Sequence, residues 1–212
     1  MRSRIFPRNL PKVRASLGIK LIAISLFIFV LIFGISIYQS NQAIIANLRG
    51  TAENELNSAA VVMNEKVTGD KDAALMLANS IASRPDVQKL TAEKNRENLI
   101  NLLTPLFGQL KDQHQIVHFN VVDDRGVVLV RLSDPSTYDD YVFYNAVVTN
   151  TINSRRPTGG LEVDITGLSM RGAAPLFYEG NFVGLVEIGI DYSQDFTNIM
   201  KQNTNADFVI WF

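Results

Sequence analysis

Arg171 is the residue whose type and position most suggest ligand chemistry. It stands at the start of a predicted strand, in the segment GLSMR at 167–171, between apolar neighbours that favour partial burial of its side chain. A buried guanidinium needs an acceptor, because an unpaired buried charge is very costly. Its planar fork of N–H donors suits a carboxylate. Two interpretations stay open: Arg171 binds the carboxylate of a small solute, or it pairs internally with Glu187 if the strand register places both on one face.

Arg131 is a second candidate for a ligand contact. It ends the apolar run 127–130, where it could supply another basic group to a pocket. The alternative is an ion pair with Asp134 or Asp139, because exposed arginines usually find nearby acids. The sequence leaves both interpretations open.

Aromatic and hydroxyl side chains add further candidates. Tyr138, Tyr141, Phe143 and Tyr144 cluster between two predicted strands, where they could form an aromatic wall with hydroxyl groups at its edge. The same cluster is also typical of ordinary core. Ser169 either donates a hydrogen bond to a ligand or caps a turn. From this set we predict ligand contacts by Tyr138, Tyr144 and Ser169.

Catalytic and metal-binding patterns are not visible in the sequence. His114 and His118 are four residues apart, but a helix passes into a strand between them, so they would not share a helical face. The segment at 167–171 resembles a hydrolase elbow except that its fifth residue is Arg171. The chain contains no cysteine and no phosphate-binding glycine loop of the P-loop type. We therefore expect neither catalysis nor a metal or other cofactor.

An N-terminal anchor must hold these residues at a membrane. Leu21 to Tyr38 is an uncharged run of 18 residues, and with residues 17–19 it reaches the length that spans a bilayer. A cleaved signal peptide would have a shorter apolar region and an A-x-A-like site. A buried core helix is the other alternative, but an all-apolar surface behind a basic segment argues against it. We predict a cytoplasmic basic segment at 1–16 and a transmembrane helix at 17–38.

The charge distribution gives the anchor a direction. The first 20 residues hold six basic and no acidic side chains, although the whole chain has a net charge of −1. Because Lys and Arg stay cytoplasmic, residues 39–212 are expected outside the inner membrane, in the periplasm or extracellular space. The weak net charge gives no reason to expect nucleic acid as a partner. The lipid bilayer is the first expected partner.

Long helices are predicted directly after the anchor. Residues 40–83 contain no proline and carry an apolar stripe at three- and four-residue steps, which favours a stalk helix that packs on its own domain or on a second copy in a homodimer. The helix should end before Pro85. A second helix is expected from Pro85 or Asp86, and a third from about Lys94 to Leu110, kinked or split at Pro105.

The second half of the chain changes to strand-like patterns. We predict strands and short helices that together make a mainly antiparallel α+β domain over 114–212. The predicted strands are 116–122, 127–132, 161–165, 169–178, 182–191 and 206–212, and the predicted short helices are 141–153 and 193–201.

Three stretches carry a resemblance to a known family: 78–87, 118–140 and 167–189, the last with GLSMRGAAP followed by VGLVEIG. They resemble the extracytoplasmic Cache sensor domains of bacterial chemoreceptors and sensor kinases, closest to the double-Cache-like group. The resemblance implies a PAS-like antiparallel sheet of about five strands behind a long helix, over 39–212. It also implies that Arg171 lines a ligand pocket.

The function that the resemblance implies is binding of a small solute outside the membrane, for chemotaxis or two-component signalling. Family members continue into a second membrane helix and an output domain, so we expect this sequence to be part of a longer protein. A structural protein of pilin type is the alternative, although pilins carry a glutamate within the apolar helix and Leu21 to Tyr38 has none.

Overall fold

The computed structural model describes residues 16–164, 167–192 and 194–204. Within these ranges the chain forms five helices and five strands. The helices are α1 (Leu17–Ala82), α2 (Pro85–Ala92), α3 (Arg96–His114), α4 (Ala146–Ser154) and α5 (Gln194–Thr204). The strands are β1 (Ile116–Asp123), β2 (Val128–Arg131), β3 (Thr158–Asp164), β4 (Gly167–Tyr178) and β5 (Asn181–Asp191). The predicted α+β class is confirmed.

The described residues divide into two units between Asn54 and Glu55. The described part of the first unit is helical, and its apolar side chains are exposed from Leu17 to Leu48. Helix α1 is long and apolar enough near its N-terminus to be a candidate membrane span. It ends at Ala82, before Pro85, as the sequence predicted.

The strands form one antiparallel sheet in the order β2-β1-β5-β4-β3. Strands β4 and β5 are joined by a tight turn in which Glu179 and Gly180 both have positive φ. This turn joins the two consecutive strands that the sequence predicted at 169–178 and 182–191. The central strand β5 pairs with β1 on one side and β4 on the other, so its side chains are surrounded by those of both neighbours.

Side chains that alternate along the strands face two different apolar layers. On one face Met170, Val186 and Phe119 pack with the C-terminal part of α1 and with α2, α3 and α5. On the other face Ala173 and Leu185 pack with α4. The site described below lies on this second face.

Gly172 lets α1 approach the sheet backbone to backbone. A Cβ at this position would stand 2.5 Å from the backbone nitrogen of Leu75 and 2.6 Å from the carbonyl carbon of Ala74. These distances are far below van der Waals contact, so glycine is required for the observed packing.

The turn between β1 and β2 is closed by the buried carboxylate of Asp123. It accepts hydrogen bonds from the backbone N–H groups of Arg125 and Val127, at 2.9 and 3.0 Å, and from Lys94 Nζ at 2.9 Å. Burial opposes ionisation, but these donors together keep the pKa of Asp123 below its ordinary value. The charged carboxylate therefore fixes the hairpin on which Arg131 lies.

Several predicted boundaries were wrong. Helix α3 is continuous through Pro105, so it is not split; Pro105 is exposed, and the carbonyl of Asn101 that loses its partner lies at an exposed position where solvent can bind it. The helix predicted at 141–153 begins only at Ala146, because the side chain of Asn145 caps it by accepting from the backbone N–H of Val148.

Two strands begin at least two residues earlier than predicted. Strand β3 begins at Thr158 and includes both glycines of the 159–160 pair, which sequence reasoning placed before the strand. Strand β4 begins at Gly167, two residues earlier than predicted. The strand predicted at 206–212 lies outside the described residues.

Candidate functional site

A cavity of about 580 Å³ opens on the sheet face that carries α4. Its wall contains side chains from all five described strands and from the loop that follows β2. Of the residues predicted from sequence, Arg171, Arg131, Ser169 and Tyr144 line it. The volume falls within the range of small-molecule sites.

Strand register explains why polar side chains meet here. On β5, Gly189 pairs with His118 of β1 and with Arg171 of β4. A Cβ on Gly189 would stand 2.8 Å from the Cβ and Cδ2 atoms of His118. The missing side chain therefore leaves room for the imidazole, whose Nε2 lies 3.2 Å from Arg171 Nη2. Two residues along the same face, Glu187 pairs with Asn120 of β1.

Arg171 is buried and carries a dense set of interactions. Its Nη1 donates to Glu187 Oε1 at 3.0 Å, its Nε donates to Ser169 Oγ at 2.9 Å, and its Nη2 pairs with Asp164. Burial alone would lower the pKa of Arg171, but Glu187 and Asp164 together raise it, so the guanidinium stays charged. The internal pairing with Glu187, one of the two interpretations of the sequence, is present.

Glu187 is the fully buried centre of the network. Besides Arg171, it accepts hydrogen bonds from the side-chain amide of Asn120, at 2.7 Å, and from that of Asn145. Buried carboxylates are tolerated only with such partners. Asn145 comes from the cap of α4, so the network also fixes that helix against the sheet.

The pKa of His118 is lowered, first by burial and then by the positive charge of Arg171. Glu187 and Asp164 act in the opposite direction but do not reverse the shift. The imidazole is therefore neutral at pH 7 and adds no positive charge to the cavity. A neutral ring with its proton on Nδ1 offers Nε2 as an acceptor to Arg171.

Arg131 pairs with Asp140, with 2.8 Å between Nη2 and Oδ2, and its Nη1 donates to the carbonyl of Thr137 at 3.1 Å. The sequence interpretation of an ion pair named Asp134 or Asp139, and the observed partner is a different acid of the same loop. Asp139 has positive φ, which turns the loop so that the next residue reaches the arginine. This side-chain pair holds the loop, whose residues Ser133, Asp134 and Thr137 also line the cavity.

The predicted aromatic wall is only partly assembled. Tyr144 lines the cavity, whereas Tyr138 is not among the described residues that line it. The ring of Tyr138 instead lies under Arg96, with 3.9 Å between the guanidinium carbon and the ring centroid. Tyr141 and Phe143 stack on each other, with centroids 6.0 Å apart.

Sequence reasoning missed Asn120, Asn145 and Asp164 as members of the site. Only one sequence signal could have identified any of them: Asn120 lies two residues from His118 in a predicted strand, so the two share a face. Among the described residues, no group of three or more His, Asp and Glu side chains has an arrangement suited to a metal ion.

Known proteins resemble the chain in sequence pattern and in fold. A profile for the double sensory domain of two-component sensor kinases matches residues 49–211. The comparison with curated proteins gives no match.

Solved structures of sensor domains share the fold. The E. coli DcuS sensor domain has a TM-score of 0.53 at 14% identity, and the match covers 66% of this chain and 98% of that one. The sensor domain of the V. cholerae histidine kinase DctB has a TM-score of 0.59 at 12% identity, covering 72% of this chain and 59% of that one. The sensory domain of the C. jejuni chemoreceptor Tlp3, with isoleucine bound, has a TM-score of 0.52 at 15% identity, with coverage of 70% and 61%.

The chain thus spans nearly all of the DcuS domain and about three fifths of the DctB and Tlp3 domains. At these identities the solved structures establish the shared fold. The profile match extends over most of the sequence, from the middle of α1 to the last residues of the chain. The chain belongs to the family of double sensory domains of two-component sensor kinases.

Proposed function

We propose that this chain is a membrane-anchored sensory module that binds a small solute in the cavity beside Arg171, outside the membrane, for two-component or chemotactic signalling. The observation that carries the proposal is the cavity itself, which lies against the buried hydrogen-bond network around Glu187 in a domain of a sensory family. The Tlp3 structure with isoleucine bound supports a solute of this size class.

The carboxylate solute predicted from sequence could bind Arg171 or Arg131 only if the ion pairs of these arginines changed. Arg171 and Arg131 each form an ion pair with carboxylates of the domain. A solute carboxylate would have to share or replace Asp164 or Asp140 at these guanidiniums. A carboxylate ligand therefore stays a prediction, to be tested within a broader set of solutes.

The test of solute binding is thermal denaturation of the full chain in detergent against a library of small metabolites. A solute at about 100 times its Kd adds about 2.7 kcal/mol to the stability. For a domain of this size, that corresponds to a rise in Tm of about 5–11 °C.

Two matched tryptophan variants test whether the rise in Tm comes from binding in this cavity. Ser133→Trp places a large side chain in the cavity wall and should abolish the shift, whereas Ser154→Trp, exposed at the end of α4, should keep it. A library in which no solute raises the Tm, or a shift that survives in Ser133→Trp, would contradict binding in this cavity.

For the anchor, we propose that residues 17–38 span the inner membrane with residues 1–16 in the cytoplasm and residues 39–212 outside. The exposed apolar surface of α1 and the basic N-terminal residues support this orientation. Because the chain has no cysteine, single cysteines report on it directly. Ser83→Cys should react with a membrane-impermeant maleimide on intact cells, and Ser3→Cys only after lysis; the reverse pattern would invert the topology.

We further propose a homodimer through α1. Its exposed apolar residues include Ile45, Leu48 and Leu56. These residues are separated by three and by eight positions, a spacing that places them on one face of a helix. Single cysteines at these positions should form crosslinked dimers under mild oxidation, while cysteines at Asn47 and Asn57 should not. Equal crosslinking at both sets would argue against a defined dimer face.

A further inference from the structure

Of the two histidines of the chain, His118 lies in the wall of the cavity. The strand register places it there: its neighbour on β5 is Gly189, which leaves room for the ring beside Arg171 of β4. Histidine is the side chain whose charge ordinarily changes between about pH 5 and pH 8. The surroundings of His118 therefore decide whether the domain responds to mild acid.

The hydrogen bond between His118 and Arg171 exists only while the imidazole is neutral. Arg171 Nη2 lies 3.2 Å from His118 Nε2, and a guanidinium has donors only, so Nε2 is the acceptor. In an imidazolium both ring nitrogens carry protons, and neither can accept. Protonation of His118 therefore removes this hydrogen bond and places two positive charges side by side.

Arg171 has no easy way to move from a charged His118. Its Nη1 donates to Glu187 and its Nη2 pairs with Asp164. If the guanidinium moved away, the fully buried carboxylate of Glu187 would lose its cation, which is costly. The two carboxylates that would attract an imidazolium are thus already bound by Arg171. A proton on His118 must either disturb this network or be released.

The other charged groups near His118 do not resolve this conflict. Glu187 of β5 and Asp164 of β3 favour the imidazolium, whereas Arg131 of β2 opposes it together with Arg171. Helix α4, which packs on this face of the sheet, has no titratable side chain. The other titratable residues that line the cavity are Asp134, Asp140, Asp191 and Tyr144. Burial of the ring and the charge of Arg171 prevail, and they keep the pKa of His118 below its ordinary value.

We propose that His118 is a proton-sensitive element of the cavity wall: mild acid outside the membrane protonates it, breaks its hydrogen bond with Arg171 and destabilises the domain around the cavity. The proposal assigns a regulation to the proposed solute site and rests on that function for its role in signalling, but the protonation itself needs no solute. By linkage, a solute that prefers one protonation state of His118 has an affinity that depends on the external pH.

The pH range of the effect follows from the direction of the pKa shift. Above about pH 6.5, the ordinary pKa of histidine, the imidazole is neutral in the folded and the unfolded chain, and the stabilisation is complete. Below it the unfolded chain binds a proton that the folded chain does not bind, so stability is lost as the pH falls through the lowered pKa of His118. One such proton raises the equilibrium constant of unfolding by up to about tenfold per pH unit.

Urea denaturation of the full chain in detergent, from about pH 8 to about pH 5, measures this dependence. His118→Gln keeps a neutral acceptor near Arg171 at every pH and should lose the acid-side increase in the unfolding constant. His114→Gln is the matched control: it removes the other histidine, which is exposed at the end of α3, and should keep that increase. The carboxylates are the same in all three proteins, so the difference between the variants isolates His118.

The imidazole signals in the NMR spectrum of the unmodified chain give a second measurement, which decides the question even if His118→Gln does not fold. The signal missing from His114→Gln belongs to His114, and the other, from His118, should titrate with a midpoint below about pH 6.5. A midpoint at or above that value overturns the proposal, as does an acid-side increase that His118→Gln retains. Neither measurement uses a solute, so a library in which nothing binds would contradict the proposed function and leave the proton response standing.

Discussion

Replacing Arg171 with methionine is expected to destabilise the domain by about 3–5 kcal/mol, the usual cost of removing one partner from a buried ion pair. Methionine preserves much of the apolar volume but leaves Glu187, which is fully buried, without its cation. Urea denaturation of the full chain in detergent, followed by circular dichroism, measures the loss.

Adding Glu187→Gln to Arg171→Met separates the cost of the unpaired carboxylate from the cost of the lost packing. In Arg171→Met/Glu187→Gln the buried carboxylate is also gone, so the double variant should recover at least half of the lost stability. Glu187→Gln alone leaves Arg171 with Asp164 as its acidic partner and should cost less than Arg171→Met. An Arg171→Met variant within about 1 kcal/mol of the original would show that the network does not support the fold.

Arg171 variants are poor reporters of ligand binding. Loss of binding in such a variant would be ambiguous, because the same substitution destabilises the domain. Asp140 lines the cavity, is only half-buried and belongs to a loop, so Asp140→Asn is the better reporter of solute contact.

The second large effect is expected at Gly172. Gly172→Ala puts a methyl group where the backbones of Leu75 and Ala74 already lie. Two regular backbones cannot move apart without disturbing the core on both sides, so we expect a loss of about 3 kcal/mol, at the upper end of overpacking costs. The measurement is the same urea denaturation.

Gly69→Ala is the matched control on α1. Nothing lies within 4 Å of a Cβ at Gly69, and alanine favours helix over glycine by up to about 1 kcal/mol. The same chemical change should therefore stabilise the protein at Gly69 and destabilise it at Gly172. A Gly172→Ala variant as stable as the original would mean that α1 does not pack on β4 as described.

Local patterns in the sequence were enough to predict most of the elements. The end of α1 before Pro85 and the breaks between the strands at 116–122 and 127–132 and between those at 169–178 and 182–191 follow from residues next to one another. The order β2-β1-β5-β4-β3 was not predictable, because it depends on pairings between distant segments. The continuous course of α3 through Pro105 shows that solvent exposure and packing can offset the cost of a proline.

The site was predictable only in part, for the same reason. The pairing of Arg171 with Glu187 could be anticipated as one alternative, since a hairpin brings β4 and β5 together. Asn145 reaches Glu187 across 42 residues of sequence, and nothing in its local context indicates that contact. Arg131 pairs with Asp140 and not with Asp134 or Asp139, which are nearer in sequence. The conformation of the loop, not the distance along the chain, determines which carboxylate lies next to the guanidinium.

Arg171 and Gly172 are consecutive residues of β4, and they face opposite sides of the sheet. The first lies at the cavity, and the second lies against the backbone of α1. A contact made through side chains has some compliance, because rotamers can change and absorb a small displacement. At Gly172 no side chain stands between strand and helix, so this joint is stiff: a shift of β4 by a fraction of an ångström must be matched by Ala74 and Leu75.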